Sequence, residues 1–350
     1  MLLRLPRKEL VFTAVIVLIA AAPGAFGASC TTQSQMTAAQ RESLSNTAHI
    51  MGMQIQVGDV QGLRAITLAS VASDFGGIAD SVTRLKPLVQ QATITVDDLY
   101  ILDASSNPVS GSRADFYCGS PVVVLNFDSL PQGVYALVLL HATGVQQPQQ
   151  ISLILAKTQD DHWQLAGFFD KPMTEAGHDG LWYWVSARKY AQRPSSWSAW
   201  LYYRQAEFLL DPFDSLSSPN LQKLQHETDE VHPQGLPISG SMTLSAPDQA
   251  FAVTSIEPTT QFGGALDLEV HYTPDSAQAA ELRDPPQARK QVTDVMQALL
   301  SQHPDLRDSF HGFWVRADQG TNSLFALELP MDSVAANSAP PKGSVFPAQQ

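Results

Sequence analysis

The sequence predicts an α+β protein of three folded units. Helices pack on one face of a curved antiparallel sheet over residues 36–175, a helical hairpin spans 178–227, and a small ββαββ domain spans 241–331. Three observations carry that reading. Apolar residues recur at three- and four-residue spacing up to residue 90 and then give way to β-branched, strand-like runs up to 172, so helices come first and strands after. Alanines and aromatics return at helical spacing between 178 and 227. Beyond a Pro-, Gly- and acid-containing linker at 228–240, strand-like runs bracket one amphipathic helix. A chain of 350 residues has room for about two or three such units.

Residues 1–27 read as a secretory signal. Arg4, Arg7 and Lys8 make a short basic region, "LVFTAVIVLIAAA" has the length of a signal-peptide apolar core, and Ala25 and Gly27 stand at the −3 and −1 positions of a cut before Ala28. A bilayer span needs about 20 apolar residues. This run is shorter, and no second run of spanning length follows. The implied compartment is periplasmic or extracellular; an uncleaved N-terminal anchor is the competing reading. Cys30 and Cys118 are the two cysteines of the chain. Gly27-Ala28-Ser29-Cys30 fits a bacterial lipoprotein signal at the two positions before the cysteine and departs from it at Gly27, where a leucine belongs. Pairing of Cys30 with Cys118 is the other reading, since exported proteins tend to pair their cysteines. The bridge would tie down a loose mature N-terminus. Lipidation and pairing exclude each other.

Within the first unit, 37–56 reads as a helix capped by Thr37, with Leu44, Thr47, Ala48, Met51 and Ile55 on one face. Gly58 breaks it, and Asp59 caps a second helix at 60–73 carrying Leu63, Ile66 and Val71. A third covers 78–90, with Pro87 near its end. Strand-like runs follow in "ATITVDDLYILDAS", "SPVVVLNFDS", "GVYALVLLHATG", "QQISLILAKTQ" and "DHWQLAGFFDKP", with a turn-rich stretch around Pro108 and Gly111. Helices then strands, the long strands last, give helices on one face of a curved antiparallel sheet.

With "VGDVQGLRAI" between two helices and paired long strands ending in "DDHWQLAGFFDKP", residues 36–173 resemble the nuclear transport factor/ketosteroid isomerase-like family. The resemblance implies a cone-shaped α+β barrel with a pocket between helices and sheet. Its members include isomerases, dehydratases and non-catalytic binding or assembly modules, and the fold does not choose among them. The run from 178 to 212 resembles a single tetratricopeptide repeat, with Tyr183, Ala187 and Tyr190 marking one helix and Ala199, Tyr203 and Ala206 the other. One extra residue before Asp211-Pro212 departs from the repeat's period. A lone repeat cannot bury its own apolar face, so it must pack on a neighbouring module or a partner. In the third unit, strands are expected at 250–256 and 265–272. A helix is expected at 286–302, with Val292, Val295, Met296 and Leu299 on one face, and a hairpin turning at "QGTN". The tail at 332–350 reads as disordered.

The formal net charge is −13, and no Lys/Arg run follows Lys8, which argues against nucleic-acid binding. There is no G-x-S-x-G elbow, phosphate loop or dinucleotide glycine pattern. "HETDEVH" at 226–232 is rich in ligand-type side chains, but its histidines are six apart where a helical zinc site sets them four apart, and it runs into a proline. No metal or cofactor is expected. The polar candidates for a pocket in the first unit are Asp97, Asp98, Tyr100, Asp115 and His141, the last sharing a strand face with Tyr135. Trp182, Trp184, Trp197 and Trp200 are either packing between the hairpin helices, which their spacing favours, or a peptide-binding surface. These features lead to an exported, non-catalytic protein that binds a partner protein or a small apolar ligand. The alternative is an isomerase- or dehydratase-type enzyme using Asp98, Tyr100, Asp115 and His141 as acid–base groups in the cone. Intact-mass measurement of protein recovered from its native host separates the two cysteine readings. A diacylglycerol adduct on Cys30 marks lipidation, and the gain of a pair of hydrogens on reduction marks the bridge.

Overall fold

The computed structural model describes residues 28–107, 112–193, 196–261, 263–335 and 345–346. The expected signal segment at 1–27 lies outside the described residues. After β1 (Ser29–Thr32) comes α1 (Ala38–Val57), whose capping box joins the Thr37 hydroxyl to the Gln40 N–H and the Gln40 side chain to the Thr37 N–H. Gly58 closes the helix in the left-handed region at φ 72°, where a side chain is disfavoured. The expected second helix breaks into α2 (Val60–Ala65) and α3 (Ala69–Ala72). The reason is backbone pairing: the Leu68 N–H donates to Leu165 O at 2.9 Å and the Leu165 N–H to Ile66 O at 2.9 Å, which draws 66–68 out of the helix. The third helix, α4 (Gly76–Val89), keeps Pro87 in its last turn.

The sheet that follows is less simple than a five-strand run. β2 (Thr93–Asp103) is followed by β3 (Ser112–Cys118) and β4 (Val123–Leu130), then by β5 (Val134–Thr143), β6 (Gln149–Lys157) and β7 (Trp163–Pro172). The main sheet has the order β1-β2-β5-β6-β7. β3 and β4, the former arising from the stretch expected to be turns, leave it and form a separate small sheet. They leave because they carry a second apolar face. Ala114, Phe116, Cys118 and Leu125 pack on Leu137, Leu139 and Ile154, the side of the main sheet that the helices do not cover. A disulfide joins Cys30 on β1 to Cys118 on β3, across a sequence separation of 88 residues.

A short hairpin, β8 (Thr174–Glu175) and β9 (His178–Asp179), leads into α5 (Gly180–Ala191) and α6 (Trp197–Leu210). β10 (Leu216–Ser217) then pairs with β4, and Phe213 stacks on Phe169 at 5.2 Å, so this segment straps onto the first unit. The hairpin gains a third helix, α7 (Pro219–Glu230), capped by Ser218 and started by Pro219. The expected linker at 228–240 is therefore helical for its first three residues. Its remainder is packed, because the Trp197 indole donates to Gln234 O at 2.8 Å and Leu236 is buried.

β11 (Met242–Ser245), an edge strand absent from the ββαββ expectation, precedes β12 (Ala250–Thr259) and β13 (Asp267–Thr273). α8 (Ser276–Glu281) and α9 (Pro285–Gln302) cross over to β14 (Gly312–Gln319), which runs parallel to β13. β15 (Asn322–Pro330) returns antiparallel after a turn at Gly320, φ 63°. Val292, Val295, Met296 and Leu299 all face the sheet, fully buried. Parts of the tail are regular structure. α10 (Met331–Ala335) sets Met331 and Val334 into the core, and β16 (Val345–Phe346) adds to the sheet edge; the rest of the tail lies outside the described residues.

The hairpin and the C-terminal unit share one core, with Tyr183, Trp197, Tyr202 and Leu209 packed together with Phe251, Val270, Phe310 and Phe313. The Tyr202 hydroxyl donates to Ser309 O at 2.7 Å across this joint. The α5–α6 pair thus buries its apolar face on the neighbouring module. Reducing the Cys30–Cys118 bridge is expected to lower unfolding free energy by about 2–5 kcal/mol, the range for long closed loops. Urea denaturation with and without dithiothreitol checks this, and an unchanged midpoint would show that the bridge adds nothing.

Candidate functional site

The space between helices and main sheet is filled. Leu44, Ala48, Met51 and Ile55 of α1 and Val82, Leu85 and Val89 of α4 meet Ala136, Val138, Leu140, Ile151 and Leu153, all 0% exposed. A cavity of about 180 Å³ opens at one end, between Gln40, Ser43, Ile101 and Trp163, where Lys157 pairs with Asp161 at 2.6 Å.

Asp98, Tyr100 and His141 lie on the other face of the sheet. Their cross-strand partners are Leu139, Leu137 and Thr95, and the first two of these pack under the small sheet. A bulge at Asp97 shifts the register, bringing Asp97 Oδ1 to 3.8 Å from His141 Nδ1. His141 Nε2 lies 3.3 Å from Gln150 Oε1. Burial, then the neighbouring Asp97, pushes the Asp98 carboxyl up, while His141 opposes this; burial likewise raises the Tyr100 phenol. The three are neighbours, but they turn away from the helices. Asp115 does not join them. It points outward from β3 and pairs with Arg113 at 3.0 Å. Ser152, not singled out by sequence, sits on the same face as His141. It is 1% exposed and its Oγ has no partner among the described residues, so it is sealed from any substrate.

The tryptophans divide. Trp197 is buried, and Trp184 is held by its indole N–H donating to Glu227 Oε2 at 2.7 Å. Arg188 grips the same carboxylate through Nε and Nη2, both at 2.7 Å, and stacks on Trp184 at 4.6 Å. The Tyr203 hydroxyl adds a contact at 3.3 Å. Glu227 therefore clamps α7 onto α5 and α6. Trp182 is 40% exposed and stacks on His178 at 3.6 Å. Trp200 faces the cleft described next. Of the "HETDEVH" histidines, His226 pairs with Glu230 on α7 at 3.3 Å and His232 lines that cleft.

A second polar group missed by sequence lies on the C-terminal sheet, on the face away from α9. His271 sits between Glu269 at 3.0 Å and Asp318 at 2.5 Å, and Arg316 reaches Glu269 at 3.1 Å. The two carboxylates raise the His271 pKa. Arg316 Nε and Asp318 Oδ1, 4.0 Å apart, are buried with no hydrogen-bond partner among the described residues, so the group is ion-paired but only partly hydrogen-bonded.

A cleft of about 1020 Å³ opens at the junction of the hairpin and the C-terminal unit. α6 supplies Trp200, Arg204 and Phe208 along one helical face, since these recur at four-residue spacing. The end of α7 and the 231–238 segment form a second wall, and Glu257 to Gln261 at the end of β12 a third. Glu175 reaches the cleft because the β8–β9 turn reverses tightly at Ala176, φ 48°, and Gly177, φ 78°. A neighbouring cleft of about 690 Å³, floored by Gln90, Gln91, Gln146 and Gln147, shares Glu175 and Thr260 with the first. The two adjoin at Glu175 and Thr260, and we refer to the pair as the junction groove. No sequence motif announced it, because its lining comes from six separated segments.

Replacing the clamp carboxylate, Glu227→Gln, is expected to cost about 1.5–3 kcal/mol, the range for hydrogen bonds to charged groups. The Arg188 hydrogen bonds hold the Glu227 carboxyl below its ordinary value of 4.5. Its stabilisation is thus fully present above that pH and is lost as the pH falls through the lower folded-state value. Chemical denaturation from pH 7 down to pH 3 should show an acid limb that the variant lacks. No protein-family model, no curated protein and no solved structure matches this chain.

Proposed function

We propose that the chain is an exported, non-catalytic binding or assembly protein that holds an extended, polar segment of a partner protein in the junction groove. The observation that carries this is the contrast between two spaces. The helix–sheet interior, where the family resemblance places a pocket, is packed with its own side chains, while the junction is open on a scale of about 1020 Å³. Amide and carboxylate side chains line the groove beside Trp200 and Phe208, which suits a peptide better than a small apolar ligand. Export is supported by the Cys30–Cys118 disulfide. The nuclear transport factor-like reading of 36–173 is kept as a proposal, supported by helices laid on a curved antiparallel sheet. The tetratricopeptide-like reading of the hairpin is likewise kept, supported by the α5–α6 packing. The acid–base alternative finds less support, since Asp98 and His141 turn away from the helices.

Panning a random short-peptide library against the mature, disulfide-bonded protein tests the groove. Enriched peptides should bind at least about tenfold more weakly, a loss of 1.4 kcal/mol, to Gln225→Trp, which fills the cleft from α7. They should bind undiminished to His141→Ala. Absence of any enriched peptide, or a loss confined to His141→Ala, would sink the reading.

A further inference from the structure

Glu175 stands at the waist where the two clefts meet. Its carboxylate accepts a hydrogen bond from the Thr260 hydroxyl and a long one, 3.5 Å, from the Gln147 amide. Burial pushes its pKa up, and the Thr260 hydroxyl opposes this; no basic side chain contributes. A partly desolvated carboxylate with only neutral donors is unfavourable unless a counter-charge arrives. The contrast with Glu227 is direct: that carboxylate, also partly buried, has the Arg188 guanidinium on it.

No arginine or lysine acts on Glu175; Lys171, the cation beside the aromatic wall, lies 5.8 Å over the Phe208 ring. Arg204 is the one arginine or lysine among the described lining residues, and it is already paired with Glu207. Asp229 and Glu257 line the same cleft and add negative charge. Trp200 and Phe208 add aromatic surface, and Arg204 already lies 5.8 Å over the Trp200 ring, which shows that this wall accepts a cation. Amides of Gln147, Gln225, Gln234 and Gln261 are spaced along the groove, where they can hydrogen-bond to an extended backbone. The charge of the whole chain, −13, draws cationic segments toward it and repels anionic ones.

We infer that Glu175 is the anchor for a lysine or arginine side chain carried by the extended segment that occupies the groove. This rests on the groove being the binding site. The ammonium or guanidinium completes the ion pair that the fold leaves open, while Asp229 and Glu257 raise the local preference for positive charge.

The test uses sub-libraries of random peptides whose central residue is fixed as Lys, Arg, Gln or Glu, panned against the mature, disulfide-bonded protein. The Lys and Arg sub-libraries should enrich. Their best peptides should weaken about thirtyfold or more on Glu175→Gln, the lower end of the scale for removing one partner of an enclosed charge pair, and also weaken with added salt. Acetylating the fixed lysine should have the same effect as the substitution. Glu175→Gln keeps the size of the side chain, and an unchanged unfolding midpoint confirms that it folds. Glu257→Gln, at the rim, should cost less. Equal enrichment of the Gln or Glu sub-library, or affinities unmoved by Glu175→Gln, overturns the anchor and leaves the groove standing. No enrichment in any sub-library overturns both.

Discussion

Strands β5 and β6 are apolar on both faces, and a sheet of that kind must be covered twice. Helices α1 and α4 supply one cover and the β3–β4 sheet the other. Much else follows from this double demand. The inner cover presses Met51, Ile55 and Leu85 against Val138 and Leu140, leaving no room for a ligand there. The outer cover recruits Phe213 from the segment after α6, so the hairpin is tied to the first unit before it docks on the third. Open space is displaced to the seam between units, where loops and helix ends meet without matching surfaces.

The hairpin resolves a second demand. Two helices rich in tyrosine and tryptophan bring polar atoms into an apolar joint, and each needs a partner. Tyr183 gives its hydroxyl to Glu175 O, Tyr202 to Ser309 O and Trp197 its indole to Gln234 O. These bonds reach three different segments, so the pair acts as a keystone. The Tyr183 bond also fixes the residue that carries the groove's waist carboxylate.

What the sequence made legible was local. Thr37 with Gln40, and Leu44, Ala48, Met51 and Ile55 at helical spacing, were enough for α1, as Val292, Val295, Met296 and Leu299 were for α9. The disulfide was legible because only one pairing exists. What was hidden depended on distant partners. Residues 66–68 have helical propensity but are claimed by the backbone of Leu165. β3 looks like a turn region until the exposed half of the main sheet asks for Phe116. Asp98 and His141 could be placed on one face by parity, but which face met the helices was decided by packing. Glu175 lay in "MTEAGHD", a stretch with no pattern, and acquires its setting from Thr260 and Gln147, far away in the chain.

The disulfide has a meaning beyond loop closure. β1 is the outer strand of the main sheet and covers β2 through only four residue pairs, Ser29 with Asp103 to Thr32 with Tyr100. So short a strand would fray readily, baring the hydrogen-bonding edge of β2 to any other copy of the chain. Cys118 pins β1 from the sheet behind it. Past the pinned stretch, β2 carries the bulged Asp97 beside Asp98, charges that discourage a foreign strand from adding on. The bridge and the acidic bulge together guard one flank of the molecule against polymerising edge to edge.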